Sequence, residues 1–289
     1  MSSTIETARP VEKTAREGQW GLWAQQTFSI LRLELQKNFL SRRAFLIYLL
    51  AALPVFLLFM LAVLPPDDDA FKNFGQLSIV FSAIYNALIL RTVVFFGCAW
   101  IFMNLFRGEV VDRSLHYYFL SPVKREVLVV GKYLSGLVTA IVLFGLSALA
   151  SLFMLYFPRF SEESSRYFFG GAGGKQALVY LGITTLACVG YGATFLIVGL
   201  FFRNPIIPAI LIYGWEFINF LLPPLLKKVS VIHYLTSLMP VPMSEGPFAV
   251  MAEPTPAWIS VPSLIVFTAL VLVLAGLHIR RMEISYIGD

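Results

Sequence analysis

Charged and reactive side chains are scarce in this chain. Asp, Glu, Lys and Arg make up only 13% of its 289 residues, whereas soluble domains contain about 25%. Its two cysteines, Cys98 and Cys188, both lie inside apolar stretches, and its three histidines are scattered along the sequence. This composition argues against a soluble domain, a disulfide framework and a cysteine- or histidine-based metal site. We therefore expect neither a catalytic nor a metal site, and we expect no nucleic-acid partner.

Long apolar stretches dominate instead. Hydrophobic residues make up 58% of the chain and its mean hydropathy is +0.76. A transmembrane helix needs roughly 17–25 apolar residues. The sequence therefore predicts an all-α polytopic membrane protein, in which residues 20–289 form a single domain. Its six transmembrane helices lie at about 44–64, 77–106, 127–157, 176–202, 206–222 and 259–279.

The residues before the first span divide into two parts. Residues 1–19 are polar, mixed in charge and without the apolar stretch of a cleavable signal peptide, and we expect a disordered cytoplasmic tail. From Trp20 to Phe39, apolar and polar residues alternate with helical spacing. This pattern predicts an amphipathic helix in the membrane interface, with Trp20 and Trp23 at headgroup depth. A plain cytosolic helix leading into the first span is the alternative.

The basic residues predict the orientation of the chain. Most of its 22 Lys and Arg residues precede the first span, lie between the second and third spans, or follow the last one. Because cytoplasmic segments carry an excess of Lys and Arg, both termini and the loop 107–126 are predicted to be cytoplasmic.

The second and fifth spans each contain a charged residue, Arg91 and Glu216 respectively. Residues 77–105 are longer than one bilayer crossing requires, and Arg91 lies in the middle of them. Arg91 either faces an interior or water-filled path, or lies near the end of a shorter span, 91–106, and snorkels; we prefer the second interpretation. Glu216 lies in the fifth span, with Asn219 on nearly the same helix face. Glu216 is either a pathway residue or a latch between helices, and both interpretations stay open.

The stretch 108–132 is the longest polar interruption between spans. Val110, Val111 and Leu115 recur at helical spacing, and Pro122 disfavours helix at Ser121. The pattern predicts a short amphipathic helix tethered to two spans. The whole stretch either transmits motion from a soluble partner into the membrane or is an ordinary cytoplasmic loop.

This loop resembles the one between the second and third spans of type-2 ABC transporter permeases. The acidic residue, the LSPVKR motif and the GK pair that carry the resemblance are Glu109, Leu120, Ser121, Pro122, Val123, Lys124, Arg125, Gly131 and Lys132. The resemblance implies a permease domain that docks through this loop on a nucleotide-binding subunit. The docking residues would be Glu109, Asp112, Arg113, Tyr117, Tyr118, Phe119, Lys124 and Arg125.

The glycine-rich sequence at 170–175 does not match a nucleotide-binding loop. Phe169 occupies the first glycine position, and Gln176 replaces the hydroxyl residue after the lysine. We therefore expect no cofactor on this chain, with ATP and Mg bound by a partner subunit. The resemblance implies a second permease copy or a related permease, surrounding membrane lipid, and a bacterial inner membrane.

Two other functions fit the same sequence. One is an ion-coupled secondary transporter that uses Glu216 as its ion site, although no internal repeat supports it. The other is a non-transporting membrane anchor for a larger complex. The leading prediction is an ATP-driven permease subunit, not itself an enzyme, and an exporter.

Overall fold

The described part of the chain is helical throughout. The computed structural model describes residues 11–41, 44–64, 74–111, 124–157, 171–241 and 254–281, and no strand occurs among them. One π-helical segment covers Tyr85–Val94, and one 3₁₀ turn covers Ile218–Leu221. The α-helices are α1 Val11–Leu40, α2 Ala44–Val63, α3 Phe74–Ile84, α4 Phe95–Val111, α5 Arg125–Tyr156, α6 Ala172–Phe201, α7 Ile206–Phe217, α8 Pro224–Lys227, α9 Val231–Ser237 and α10 Ala257–Arg281.

Five helical elements within the described residues are long and apolar enough to cross a membrane. They confirm five of the predicted spans to within a few residues and indicate a multi-pass membrane protein. Large apolar side chains on their outer faces are exposed, as expected where a helix contacts lipid. The five elements are Ala44–Val63, Gln76–Gly108, Arg125–Tyr156, Gly173–Phe201 and Ala257–Arg281.

The predicted fifth span, 206–222, is not one of these elements. Its apolar helix covers Ile206–Leu221, about 24 Å, which is shorter than a bilayer core of roughly 30 Å. The regular α-helix ends at Phe217, and Leu222 and Pro223 then separate the 3₁₀ turn from α8, which begins at Pro224. The chain continues through α8 and α9, whose Ile232 and Leu235 side chains are fully buried. Part of the predicted outer loop therefore packs inside the bundle.

The structure does not show the short span, 91–106, on which the preferred interpretation of Arg91 depends. Residues 74–111 form one continuous helical element, so 77–90 is not a separate piece and Arg91 lies near its middle. The surrounding ten residues are π-helical, which brings residues five apart onto one face. Arg91 Nε accordingly donates to Asn86 Oδ1 at 3.4 Å.

Helix α1 begins at Val11 and not at Trp20, so residues 11–19 are helical where we expected disorder. It runs parallel to the first half of α5. Lys124 lies over the Trp23 ring, 4.1 Å from its centroid, and Asn38 Nδ2 donates to Thr139 Oγ1 at 3.4 Å. The face of α1 that contacts α5 is therefore a packing surface of the bundle, which an isolated interfacial helix would not have.

Close helix contacts depend on glycine. An ideal Cβ at Gly192 would lie 2.5 Å from Phe102 Cζ, and one at Gly199 would lie 2.7 Å from Met103 Cα. These glycines let α6 approach α4 at distances that a larger residue would prevent. Gly182, on the same helix, has no atom of the described residues within 4 Å of its ideal Cβ.

One end of the bundle, here called the basal end, carries the last turn of α4, the first turn of α5 and the last turn of α10. Arg125 Nη1 donates to the backbone oxygens of Ile279 at 3.0 Å and Arg280 at 3.1 Å. Arg280 and Glu126 form an ion pair beside it. The basal end is the one from which the predicted docking loop extends.

Candidate functional site

The predicted docking residues are only partly within the described residues. Glu109 belongs to the last turns of α4 by its backbone. Lys124 and Arg125 lie at the start of α5. Asp112, Arg113, Tyr117, Tyr118 and Phe119 fall outside the described residues.

Lys124 and Arg125 have different surroundings. Lys124 is exposed and forms a cation–π contact with Trp23 of α1. Arg125 is half-buried and donates to two of the last carbonyl oxygens of α10. Because cationic donors at a helix C-terminus satisfy orphan carbonyls and interact favourably with the helix dipole, Arg125 stabilises the end of α10. Lys124 is therefore the better probe of a docking surface.

A buried ion pair lies about two turns further along α5. Lys132 of α5 is fully buried, and its Nζ donates to Glu34 Oε1 at 2.9 Å and to the backbone oxygen of Leu105 at 3.0 Å. Glu34 of α1 is only 4% exposed. The lysine therefore connects three helices, α1, α4 and α5, at the basal end. Lys37 extends the pair towards solvent, with 3.5 Å between its Nζ and Glu34 Oε1.

Glu34 is not among the site residues predicted from the sequence. A signal was present, because Ile30, Glu34 and Asn38 are spaced four apart and so share one face of α1. All three contact α5: Ile30 Cγ2 would lie 3.0 Å from a Cβ at Gly131, and Asn38 bonds Thr139. A polar residue at the centre of a helix face that packs on another helix indicates a polar partner on that neighbouring helix.

The second candidate site surrounds Glu216 at mid-bundle. Its carboxylate is 6% exposed and accepts four hydrogen bonds. Oε1 accepts from the backbone N–H of Val231 at 3.0 Å. Oε2 accepts from the Ile232 N–H at 2.9 Å, the Ser230 hydroxyl at 2.8 Å and the Tyr191 hydroxyl at 3.1 Å.

This geometry makes Glu216 the cap of α9. The first backbone N–H groups of a helix have no intrahelical acceptor, and two of those of α9 donate to this one side chain. The carboxylate thereby fastens the end of α7 to the start of α9 across the proline break. Of the two interpretations left open, the contacts favour the latch.

Arg91 joins this region through the backbone. Its Nη1 donates to the carbonyl oxygen of Glu216 at 3.1 Å and not to the carboxylate. A cavity of about 10 Å³ beside it is lined by Phe95, Tyr191 and Tyr213 among others, a space that holds roughly one water molecule. Asn219 has a separate partner, the carbonyl oxygen of Lys227 at 3.4 Å. The structure therefore brings Arg91 and Glu216 together but directs Asn219 elsewhere.

No metal site is found in the part of the chain that the structure describes, where no three His, Cys, Asp or Glu side chains lie close enough to hold an ion. His233 bonds Thr255 through Nε2, with 3.0 Å between Nε2 and Oγ1. The His278 ring stacks on Phe201 with 3.9 Å between centroids. Both histidines therefore have packing roles.

No protein-family model matches this chain, and no curated protein matches it significantly. Its function must therefore be inferred from its own residues and contacts.

Proposed function

We propose that this chain is the membrane permease subunit of an ATP-driven exporter similar to the type-2 ABC transporters of bacterial inner membranes. Two permeases, identical or related, would pair with two nucleotide-binding subunits that bind ATP and Mg. The basal end would face the cytoplasm, and the loop 107–126 would contact the nucleotide-binding subunit. The substrate crosses between the permeases as they rearrange.

The connected helix ends at the base of this loop are the observation that carries the proposal. Lys132 bonds both Glu34 of α1 and the Leu105 carbonyl of α4. Arg125 bonds the last carbonyls of α10. A force applied to the loop therefore reaches α1, α4, α5 and α10 together. An ordinary loop between two spans needs no such connections, whereas a coupling element depends on them.

The lengths of the helices support the same role. α5 has 32 residues, which corresponds to about 48 Å, whereas a bilayer core is roughly 30 Å thick. An α5 that crosses upright would extend beyond the hydrocarbon by several turns. The first turn of α5, with α1 packed alongside it, would then reach the headgroup layer, where the nucleotide-binding subunit could contact it.

The broken fifth segment supplies an element that can change shape. The Glu216 contacts hold the start of α9 against the end of α7, whereas the side chains between these two points are mostly exposed, Leu225 and Val229 among them. The break lies beside Arg91 and the π-helical segment. π-helical turns often occur at functional sites, and we place the moving part of the transport pathway here.

An ion-coupled transporter that uses Glu216 as its ion site is the second candidate. Both carboxylate oxygens already accept hydrogen bonds from backbone or hydroxyl donors. A cation bound there would have to displace these donors, and the adjacent cavity of about 10 Å³ leaves it little room. The contacts thus disfavour this candidate. A non-transporting anchor remains the alternative if no ATPase binds.

Charge reversal at Lys124 tests the docking surface. Lys124→Glu should weaken co-purification of the nucleotide-binding subunit, because it places a negative charge beside the loop without removing the Arg125 contacts. Lys228→Glu is the matched control, since Lys228 is also exposed but lies far along the chain, after α8. Undiminished binding by Lys124→Glu, or equal loss in both variants, contradicts docking at this surface.

A further inference from the structure

An apolar groove separates α5 from α10 at the basal end. Its volume is about 290 Å³, close to the roughly 300 Å³ of the smallest ligand pockets. Val130, Val273 and Leu277 expose their side chains along it, whereas Val129 and Gly276 form its floor. The groove therefore opens sideways, in the direction that the apolar outer face of α10 presents to lipid.

Charged residues border the lower end of this groove. Arg280 and Glu126 line it and form an ion pair, with their side chains 61% and 32% exposed. Lys124 and Arg125 precede Glu126 in the chain, and Arg281 follows Arg280. Among the described residues of these two helix ends, basic side chains therefore outnumber the single acidic one. Because exposed apolar residues on α10 extend to Leu277 and basic residues follow directly, this end lies at headgroup depth.

We propose that this groove binds an anionic phospholipid, with an acyl chain between α5 and α10 and the phosphate at Arg280. The apolar lining matches a hydrocarbon chain, and the excess of basic residues at its mouth matches a negatively charged headgroup. A zwitterionic lipid offers the same chain but a weaker electrostatic attraction. This inference goes beyond the proposed function and does not depend on it.

Two substitutions of opposite sign test the headgroup site. Arg280→Gln removes the basic partner and should weaken phosphatidylglycerol binding about fivefold, the loss expected for one basic residue near a lipid surface. Glu126→Gln removes the competing acid and frees Arg280, so it should strengthen phosphatidylglycerol binding. Both break the same ion pair, so a purely structural effect would lower binding in both variants.

A third substitution tests the chain site. An ideal Cβ at Gly276 would approach only Glu126 Cγ, at 3.8 Å, so Gly276→Phe can be accommodated on its backbone and fill the groove. We expect it to weaken phosphatidylglycerol binding about tenfold, or about 1.4 kcal/mol. Gly182→Phe on α6 is the matched control, because nothing lies within 4 Å of its ideal Cβ.

The experiment is a lipid titration of the purified full chain, measured by native mass spectrometry with phosphatidylglycerol and phosphatidylcholine. The wild type should prefer phosphatidylglycerol, Gly276→Phe and Arg280→Gln should reduce that binding, and Gly182→Phe should retain it. Equal binding of the two lipids by the wild type overturns the proposal. Wild-type affinity of Gly276→Phe for phosphatidylglycerol also overturns it. So does a change in the oligomeric state of a variant without a change in its lipid binding, because the groove would then belong to an interface with a second copy. None of these outcomes depends on an ATPase.

Discussion

Lys132 of α5 and Glu34 of α1 form a fully enclosed ion pair, with 2.9 Å between Nζ and Oε1. Such a pair stabilises a fold only weakly compared with apolar packing, because both groups lose their hydration. Its geometric effect is larger, since Lys132 also bonds the Leu105 carbonyl and so sets the register of three helices. This pair is where a movement of α1 would reach the membrane-spanning helices.

Removing one partner of this pair should be strongly destabilising. Glu34→Gln removes the carboxylate that accepts from the buried Lys132 ammonium, and we expect a loss of about 3–5 kcal/mol of folding free energy. The double variant Glu34→Leu/Lys132→Met should recover most of that loss, because neither charge remains. Lys37→Met is the control and should cost under about 1 kcal/mol, since the Lys37 side chain is 50% exposed.

Thermal unfolding in detergent, followed by tryptophan fluorescence and size-exclusion chromatography, measures these stabilities. If the double variant is as unstable as Glu34→Gln, the pair contributes to folding stability by more than the neutralisation of each charge by the other. If the double variant folds but no longer couples ATP hydrolysis to transport, the pair acts in transmission as proposed.

Glu216 should matter more for the order of α9 than for ion binding. Glu216→Gln replaces one acceptor oxygen by an NH₂ group that faces donors, so hydrogen bonds from Ser230, Tyr191 or the α9 backbone are lost. Each buried donor left unsatisfied should lower the folding free energy by about 1–3 kcal/mol. Hydrogen exchange of residues 230–237 should accelerate. Tyr191→Phe, which removes one hydroxyl donor, should have a smaller effect of the same kind.

Transport by a correctly assembled Glu216→Gln variant separates the latch from a pathway residue. A latch predicts faster exchange in α9 with transport reduced only in proportion to the folded protein. Complete loss of transport with unchanged exchange would instead make Glu216 part of the pathway.

Gly199 should tolerate no side chain. Its ideal Cβ would lie 2.7 Å from Met103 Cα and 2.8 Å from the Met103 oxygen, and backbone atoms cannot rotate away as a side chain can. Gly199→Ala should therefore push α6 from α4 and cost roughly 1–3 kcal/mol. Gly182→Ala, in open space, should be neutral or slightly stabilising because alanine favours helix. Equal melting temperatures for the two variants would contradict the close α4–α6 contact.

Arg125 should hold the end of α10. Arg125→Gln removes a charged donor from the Ile279 and Arg280 carbonyls, and we expect a loss of about 2 kcal/mol. Amide exchange in residues 276–281 should increase. Lys124→Gln is the neighbouring control and should leave that exchange unchanged.

Most of the spans could be predicted from the sequence because each depends on local composition alone. Hydropathy over a window of about 20 residues is sufficient to locate a helix such as α2 or α10. The break in the fifth segment was not predicted because its apolar residues continue through Leu221, while the α-helix ends earlier, at Phe217. The capping of α9 by Glu216 stabilises the break, and that contact joins residues 15 apart.

The candidate sites were harder to predict because they depend on long-range contacts. Glu34 and Lys132 are 98 residues apart, and nothing in either local sequence identifies the other. Arg91 was assigned to a span end because the sequence gives no sign of the π-helical turns that carry it through mid-bundle. Glu216 was found because a buried acid in an apolar stretch is conspicuous, although its partners were not.

The central claim is that a separate ATPase drives this chain. The most direct test is to purify the tagged chain from its native cells in mild detergent, identify co-purifying proteins by mass spectrometry and assay ATP hydrolysis. We predict that a nucleotide-binding subunit with Walker motifs co-purifies in equal amount and hydrolyses ATP. A chain that purifies alone, and that transports without nucleotide, would contradict the account.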